Sequence, residues 1–382
     1  MFEYLNETLG WQIGQAPCFN SVENWIKKSG YSVYNNSQLK ASAANYSMII
    51  DESMMLGNQR MILNLGIRAN KSTPNPLNYT DIEVIGIHVD TNWNASKITE
   101  ALQADQEKMG KKPDYIISDN ESKFGKAIAD YDNLHIRDIG HTLAMFLRRA
   151  YQNQTDFNAF IKEISRVKAK EAMTDCSYLL PPKQRTQARF MNLSHIIRWA
   201  SKIIDSYTGF TQKEKQVYRF VVQNKKLVGE LQSVLECTDQ ILSDIKTDGL
   251  SYHSIGAAMA LIRKRLGNKN ERVAEFAGLV MEYLCQEALK LQSSAVIYNA
   301  SSDMIESVFG CYKFKMAHNA LHGITPYVLV LPLITRMKDT HKGLDTDFKA
   351  NLEGVYMRDL TQWRYEYLTE NQAVKRRNKF AA

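Results

Sequence analysis

The stretch Met48-Ile49-Ile50-Asp51-Glu52-Ser53 decides how the rest of the chain is read. Its apolar run predicts a strand buried in a sheet, and Asp51 stands at or near the end of that run. Burying an ionised carboxylate is costly unless it is paired or binds a metal. Two later stretches offer partners: Ser118-Asp119-Asn120, which follows the apolar Tyr115-Ile116-Ile117, and Ser302-Asp303-Met304-Ile305-Glu306. The expectation is that Asp51, Asp119 and Glu306 meet around divalent cations.

Working outward, residues 47–51, 60–67 and 82–89 are the first three predicted strands. A short turn around Gly57-Asn58 joins the first two as a hairpin, and a Pro- and Asn-rich loop over 70–79 leads to the third. A helix is predicted over 96–109, with Ile98, Leu102 and Met109 on one face and Ser96 as a cap. A strand over 114–118, a helix over 122–130, a strand over 134–139 and a long helix from His141 follow. A meander followed by strand-helix-strand crossovers makes a mixed sheet. This is the order of the RNase H-like fold, in which the fourth strand lies beside the first.

From 142 to 300 almost no strand pattern remains. Helices are predicted over 157–167, 191–207, 214–227, 231–245, 255–266 and 271–291, with breaks at Pro181-Pro182, Gly209, Gly249 and Gly267-Asn268. A further helix covers 302–315, the apolar 325–335 fits helix or strand, and a last helix spans 351–367. Near the N-terminus, Phe19, Val22, Trp25 and Ile26 mark a helix over 17–30 that Gly30 should stop. With Lys27-Lys28 it reads either as the last helix of a helix-turn-helix or as an ordinary packing helix. The expected fold class is therefore α/β, an RNase H-like mixed five-stranded sheet interrupted by a large all-α insertion. The expected division is 1–45 N-terminal helical segment, 46–145 first part of the core, 146–300 insertion, 301–345 final part of the core with Glu306, and 346–382 helix and basic tail.

Composition narrows the classes. The 382 residues are 44% hydrophobic, enough for more than one core, and the formal net charge of +7 suits a polyanionic partner without requiring one. Five scattered cysteines in no zinc or disulfide pattern suit a reducing compartment. No apolar run approaches a membrane span, and the first residues lack a signal pattern. A soluble, cytoplasmic protein without a membrane partner is expected.

Each carboxylate has a plainer reading beside the functional one. Asp119 follows a strand and precedes a helix, so it fits an N-cap. Asp303-x-x-Glu306 fits a capping box. The functional reading rests on chemistry. Phosphodiester cleavage needs an activated nucleophile and a stabilised leaving oxygen, and two cations about 4 Å apart serve both. Hard oxygen ligands select Mg²⁺ or Mn²⁺. Asp51, on the central strand, is the natural bridging ligand.

Five segments together carry a family resemblance: Ile49-Ile50-Asp51, Ile117-Ser118-Asp119-Asn120, Asp138-Ile139-Gly140-His141, Arg198-Trp199, and the run from Ser302 to Gly310. In this order the chain resembles DDE transposases with an RNase H-like core. The long separation of Asp119 from Glu306 is similar to members with a helical insertion, as in the hAT-like layout. The overall pattern, with Pro181-Pro182-Lys183-Gln184-Arg185, resembles bacterial insertion-sequence transposases more closely. The resemblance implies that Asp51, Asp119 and Glu306 are the catalytic metal ligands for two Mg²⁺ or Mn²⁺ ions. It gives His141 a role in positioning the scissile phosphate or the active-site network, against a helix-start histidine satisfied by backbone. Trp199, beside Arg198, would stack on an unpaired base, against a core tryptophan on the Ile196-Ile197-Ile203 face. Lys183, Arg185 and Arg189 would contact phosphates, against a solvated helix face. Lys313 and Lys315 would track the strand entering the site. Only about 45 residues precede the core, fewer than the family's end-binding region usually has.

The resemblance implies a bacterial transposase, nucleoid-associated when bound. It would cut double-stranded DNA at element ends and join 3′-hydroxyls to target DNA, as a homodimer or larger synaptic oligomer. Two other classes stay open: a nuclease of the same fold that never joins strands, and a domesticated or truncated derivative that binds DNA without catalysis.

Overall fold

A computed structural model describes residues 7–8, 10, 16–42, 44–56, 59–183, 190, 193–267, 269–315, 323–337, 348–368, 376–377 and 379–380. The chain enters through α1 (Phe19–Asn35) and the short α2 (Gln38–Ala41). Gly30 does not stop α1. A Cβ at Gly30 would come within 1.8 Å of the Leu329 carbonyl oxygen, so this glycine lets two backbones touch inside the helix. The helix ends at Asn36, and the Ser37 hydroxyl caps α2 by accepting from the Lys40 N–H at 3.0 Å.

Three long strands follow: β1 (Tyr46–Leu56), β2 (Gln59–Arg68) and β3 (Ile82–Asp90). Next come α3 (Ala95–Met109), β4 (Tyr115–Ser118), α4 (Ser122–Asp130) and β5 (Leu134–Arg137). The five strands form one sheet in the order β3-β2-β1-β4-β5. β1–β2 and β2–β3 are antiparallel and β1–β4 is parallel, so the sheet is mixed as the crossovers require. The predicted turn residues Gly57 and Asn58 lie outside the described residues. β1 runs five residues past Asp51, which pairs opposite Leu63, so this aspartate lies inside the hairpin ladder rather than at its end. The apolar run ends at Ile50, but strand pairing continues because backbone hydrogen bonds do not depend on side-chain polarity.

One face of the sheet is closed by α3 and α4. Met48, Ile50, Ile62 and Ile116 are fully buried there against Ile98, Leu102, Phe124 and Ile128. Side chains alternate along a strand, so Ile49, Asp51 and Ile117 belong to the opposite face. A bulge at Asn64/Leu65 lets Gly86 pass directly over the Asp105 carboxylate, where a Cβ would lie 2.1 Å from Oδ2.

The remaining helices are α5 (Ile139–Tyr151), α6 (Thr155–Glu171), α7 (Leu193–Ser206), α8 (Gln212–Gln223), α9 (Lys225–Asp248), α10 (Tyr252–Leu266), α11 (Glu271–Ala288), α12 (Asp303–Lys315), α13 (Val330–Met337), α14 (Phe348–Glu353) and α15 (Met357–Tyr367). The break expected near 228–230 falls at Asn224, whose N–H bonds back to Phe220 and Val221, and α9 then runs unbroken through Gly229. The ambiguous 325–335 is helical. Thr325 caps a 3-10 turn with Pro326 at its first position, and α13 continues from it. The single helix expected over 351–367 is two, α14 and α15, parted at Gly354-Val355.

Two compact units result. The first comprises Met1–Ala69, Leu77–His135 and Ser302–Ala382; the second comprises Asn70–Pro76 and Ile136–Ser301. None of the described cysteines forms a disulfide. No helix among the described residues is long and apolar enough to cross a membrane.

Candidate active site on the first unit

β1 and β4 pair with Met48 opposite Ile116 and Ile49 opposite Ile117. Two residues further along each chain stand Asp51 and Asp119. The register therefore puts both aspartates two residues beyond paired positions: Asp51 within β1, on the sheet face away from α3 and α4, and Asp119 just past the end of β4. Both are half-buried. The Asp119 carboxylate accepts from the Glu121 N–H at 3.0 Å, and Glu121 itself precedes α4 without a side-chain cap bond. The cap predicted for Asp119 thus appears as a tight turn two residues long, which orients the carboxylate without building it into the helix.

Glu306 reaches the first unit through α12, which packs on β1. Met304, Ile305, Val308, Phe309 and Tyr312 form the buried stripe of α12, and Asp303, Glu306, Ser307 and Gly310 are exposed. At 100° per residue Glu306 sits about 60° outside that stripe, on the exposed side of the helix. The helix begins at Asp303, so Glu306 is its fourth residue rather than the third that a capping box from Asp303 requires. Tyr79, in the 3-10 turn Tyr79–Asp81, holds this region of α12: its hydroxyl bonds the Ser307 hydroxyl and lies 3.5 Å from Cys311 Sγ. Among the described residues, no three His, Cys, Asp or Glu side chains are gathered closely enough to hold a metal ion. The register puts Asp51 and Asp119 at corresponding positions along β1 and β4, and Glu306 lies on the exposed side of α12.

The neighbouring residue Glu52 turns to the other face and organises the rim. It accepts from Arg60 at 2.8 Å and from Lys123 of α4, and Lys123 also pairs with Glu121 at 2.7 Å. Partial burial works against the Lys123 charge, but its bonds to Glu121 and Glu52 outweigh that and raise its pKa. Beneath Asp119, the buried Ser118 hydroxyl bonds His135 Nε2 at 2.8 Å. Tyr79, Lys123 and His135 escaped the sequence reading. Each acts on a strand end from a loop or helix, and no local spacing links them to it.

In the second unit, Asp138 caps α5 and accepts from the His141 backbone N–H at 2.6 Å. The Asp-x-x-His spacing is thus the geometry of a helix start, and the His141 side chain is half-buried. β5 accordingly ends at Arg137, short of the predicted Ile139. The Trp199 indole N–H donates to the Leu179 carbonyl at 2.9 Å and its ring meets Tyr218 edge-on, the packing arrangement weighed for it above. Arg198 is exposed and lines a groove with Ser194, Lys202, Glu236 and Asp239. Lys183 is exposed, and its charge together with partial burial lowers the pKa of Lys168. Arg185 and Arg189 lie outside the described residues, as does the side chain of Lys315. Lys313 in the first unit is exposed, its ammonium 5.8 Å from the Phe309 ring centre. Compared with known proteins, the chain matches no family model and is similar to no curated protein.

Proposed function

We propose that the chain is a metal-dependent transposase of the DDE type, with an RNase H-like core that cuts double-stranded DNA and joins 3′-hydroxyls to target DNA. The observation that carries this reading is the β1–β4 register, in which Asp51 and Asp119 each follow a paired isoleucine, Ile49 and Ile117, by two residues. The carboxyl end of a parallel strand is where open α/β sheets bind their ligands. The strand order β3-β2-β1-β4-β5, with an antiparallel meander and a parallel β4, supports the RNase H-like assignment.

The donor chemistry fits a hard cation, since all three acids offer oxygen alone. Asp51 and Asp119 would hold Mg²⁺ or Mn²⁺, and Glu306 would add a ligand from α12. When bound, two such ions would polarise the scissile phosphate and lower the pKa of an attacking water or hydroxyl. The chain's own contribution is placement. The two aspartates share one register, the Glu52–Lys123–Arg60 cluster fixes the rim beside them, and Tyr79 ties down α12 next to Glu306. Two DNA ends handled together would require a dimer or larger oligomer.

Two assays test the reading: Mg²⁺-dependent nicking of a duplex carrying element ends, and joining of a pre-cut 3′ end to a plasmid. Both activities are expected, with loss of both in Asp51→Ala, Asp119→Ala and Glu306→Ala. Full activity in those variants would overturn the site. Nicking without joining would make the protein a nuclease of this fold, and DNA binding without either would make it a non-catalytic derivative.

A further inference from the structure

The positive charge of the chain is not spread evenly. The second unit carries 25 Lys and Arg against 16 Asp and Glu, a net +9, and the first carries 23 against 25, a net −2. The unit holding Asp51 and Asp119 is therefore slightly acidic, and the whole basic excess belongs to the helical unit.

Within that unit, α8 presents an unusual surface. Gln212, Gln216, Arg219 and Gln223 are exposed at steps of four, three and four residues. At 100° per residue they fall within an arc of about 60°, on the side of the helix opposite the buried Val221. None of the four side chains makes a hydrogen bond or ion pair with a described residue. Lys213 and Lys215 flank the stripe on its two sides, and the exposed Lys225 and Lys226 follow it at the start of α9. The one acid of α8, Glu214, is turned away: it caps the helix through Thr211 and bonds the Tyr178 hydroxyl. One acid lies beside the flank, Asp175, which pairs with Lys213 at 3.0 Å. The inner side of α8 is anchored by buried Tyr218 and by Phe220 against Phe160, so the stripe is held on a packed helix.

We infer that α8 reads duplex DNA, lying in the major groove with Gln212, Gln216, Arg219 and Gln223 toward the base edges. The major groove admits an α-helix, and these residue types match its pattern: Arg pairs with guanine O6 and N7, and Gln pairs with adenine N6 and N7. The stripe is about 16 Å long, enough to follow several base pairs. Lys215, Lys225 and Lys226 are the phosphate contacts that set register without reading sequence. The inference rests on the proposed function only in taking duplex DNA as the partner.

The test is selection of bound sequences from a random duplex pool by the full chain in EDTA, so that no metal chemistry takes part. The wild-type protein should enrich a short motif, and Asp51→Asn should enrich the same one. Arg219→Ala should lose the preference at one base pair and bind the selected duplex about tenfold more weakly. Gln216→Ala should relax a different position. Lys225→Ala with Lys226→Ala should weaken every duplex alike and lower the salt slope by about 2. Gln216, Arg219, Lys225 and Lys226 are exposed, and an unchanged melting temperature verifies folding of every variant. Unchanged motif and affinity in both Arg219→Ala and Gln216→Ala would overturn the inference, as would failure of the full chain to enrich any duplex. Enrichment without nicking would leave α8 as a reader while removing the catalytic proposal; nicking without enrichment would do the reverse.

Discussion

The two units handle charge in opposite ways. In the first, acids outnumber bases, and two aspartates follow paired positions of a short parallel strand and the long one beside it. In the second, bases outnumber acids, and its most deeply buried carboxylate is neutralised at close range. Glu287, fully buried, accepts from Arg137 at 2.9 Å and from Lys290 at 2.8 Å. Arg272 likewise bridges Glu230 and Asp156. The lesson is that an acid in a sheltered place is not by itself a site. In the helical unit Glu287, Glu230 and Asp156 are cross-braces with a cation opposite each one. In the sheet unit Asp51 and Asp119 follow one strand register, and Asp119 lies just past the end of β4.

The sharpest way to break this contrast is to neutralise one acid of each kind. Asp51→Asn should lower Mg²⁺-dependent nicking on the order of 1,000-fold and leave the melting temperature nearly unchanged. Glu287→Gln should do the reverse. It leaves Arg137 and Lys290 partly buried without their counter-charge, at a cost of about 3 kcal/mol in denaturant unfolding. If Asp51→Asn proves mainly a stability variant, the sheet acids are braces as well and the contrast collapses.

A second test concerns how rigidly the first unit is built around its sheet. Gly30→Ala should cost about 3 kcal/mol, because the added methyl meets a backbone oxygen that has no side chain to move aside. A melting temperature within a degree of wild type would mean that α1 and the 3-10 turn Pro326–Leu329 separate easily. Tyr79→Phe should be milder. It removes the hydroxyl that bonds Ser307 and should lower nicking about tenfold if Glu306 depends on α12 being held. An unchanged rate would detach α12 from the site.

The smallest effect is electrostatic. Burial pushes the Lys108 ammonium down to about 7, against the opposing pull of Asp105 and Glu83. It donates to the Ile85 carbonyl at 2.8 Å and lies over the Tyr34 ring. In the unfolded chain this lysine titrates near its ordinary 10.5, so between the two values the unfolded state binds more protons. Stability should therefore rise as pH increases from about 7 to about 10. Lys108→Met should flatten that slope and add about 1 kcal/mol at neutral pH, measured by thermal melts across the range. A slope that survives the substitution would assign it to another group.

Local pattern carried much of the fold. Alternating apolar residues located all five strands within a few positions, and 3.6-residue periodicity located nearly every helix. The misses share one cause. Gly30 and the apolar 325–335 were judged by local propensity, and the structure overrode it: a backbone oxygen against Gly30, and a capped Pro326 turn feeding α13. For the site, Asp51 and Asp119 were legible because each is an acid at an apolar strand. His141 and Trp199 were legible only as residues worth inspecting. Their surroundings, an Asp138 cap and a Leu179 carbonyl, belong to the packing of the helical unit.

By itself the sequence determined the order of strands and helices, the mixed character of the sheet, the presence of acids next to apolar strand runs and the net positive charge. These depend on residue type and short-range spacing, which any segment carries within itself. The tertiary structure decided the rest. The β1–β4 register that gives Asp51 and Asp119 corresponding positions is set by hydrogen bonds between distant segments, and a slip of one residue would turn one of them to the other face. The position of Glu306 on the exposed side of α12 follows from which stripe of that helix is buried. The free face of α8 exists because Tyr218 and Val221 are buried on its other side, a choice that only the assembled helical unit could make.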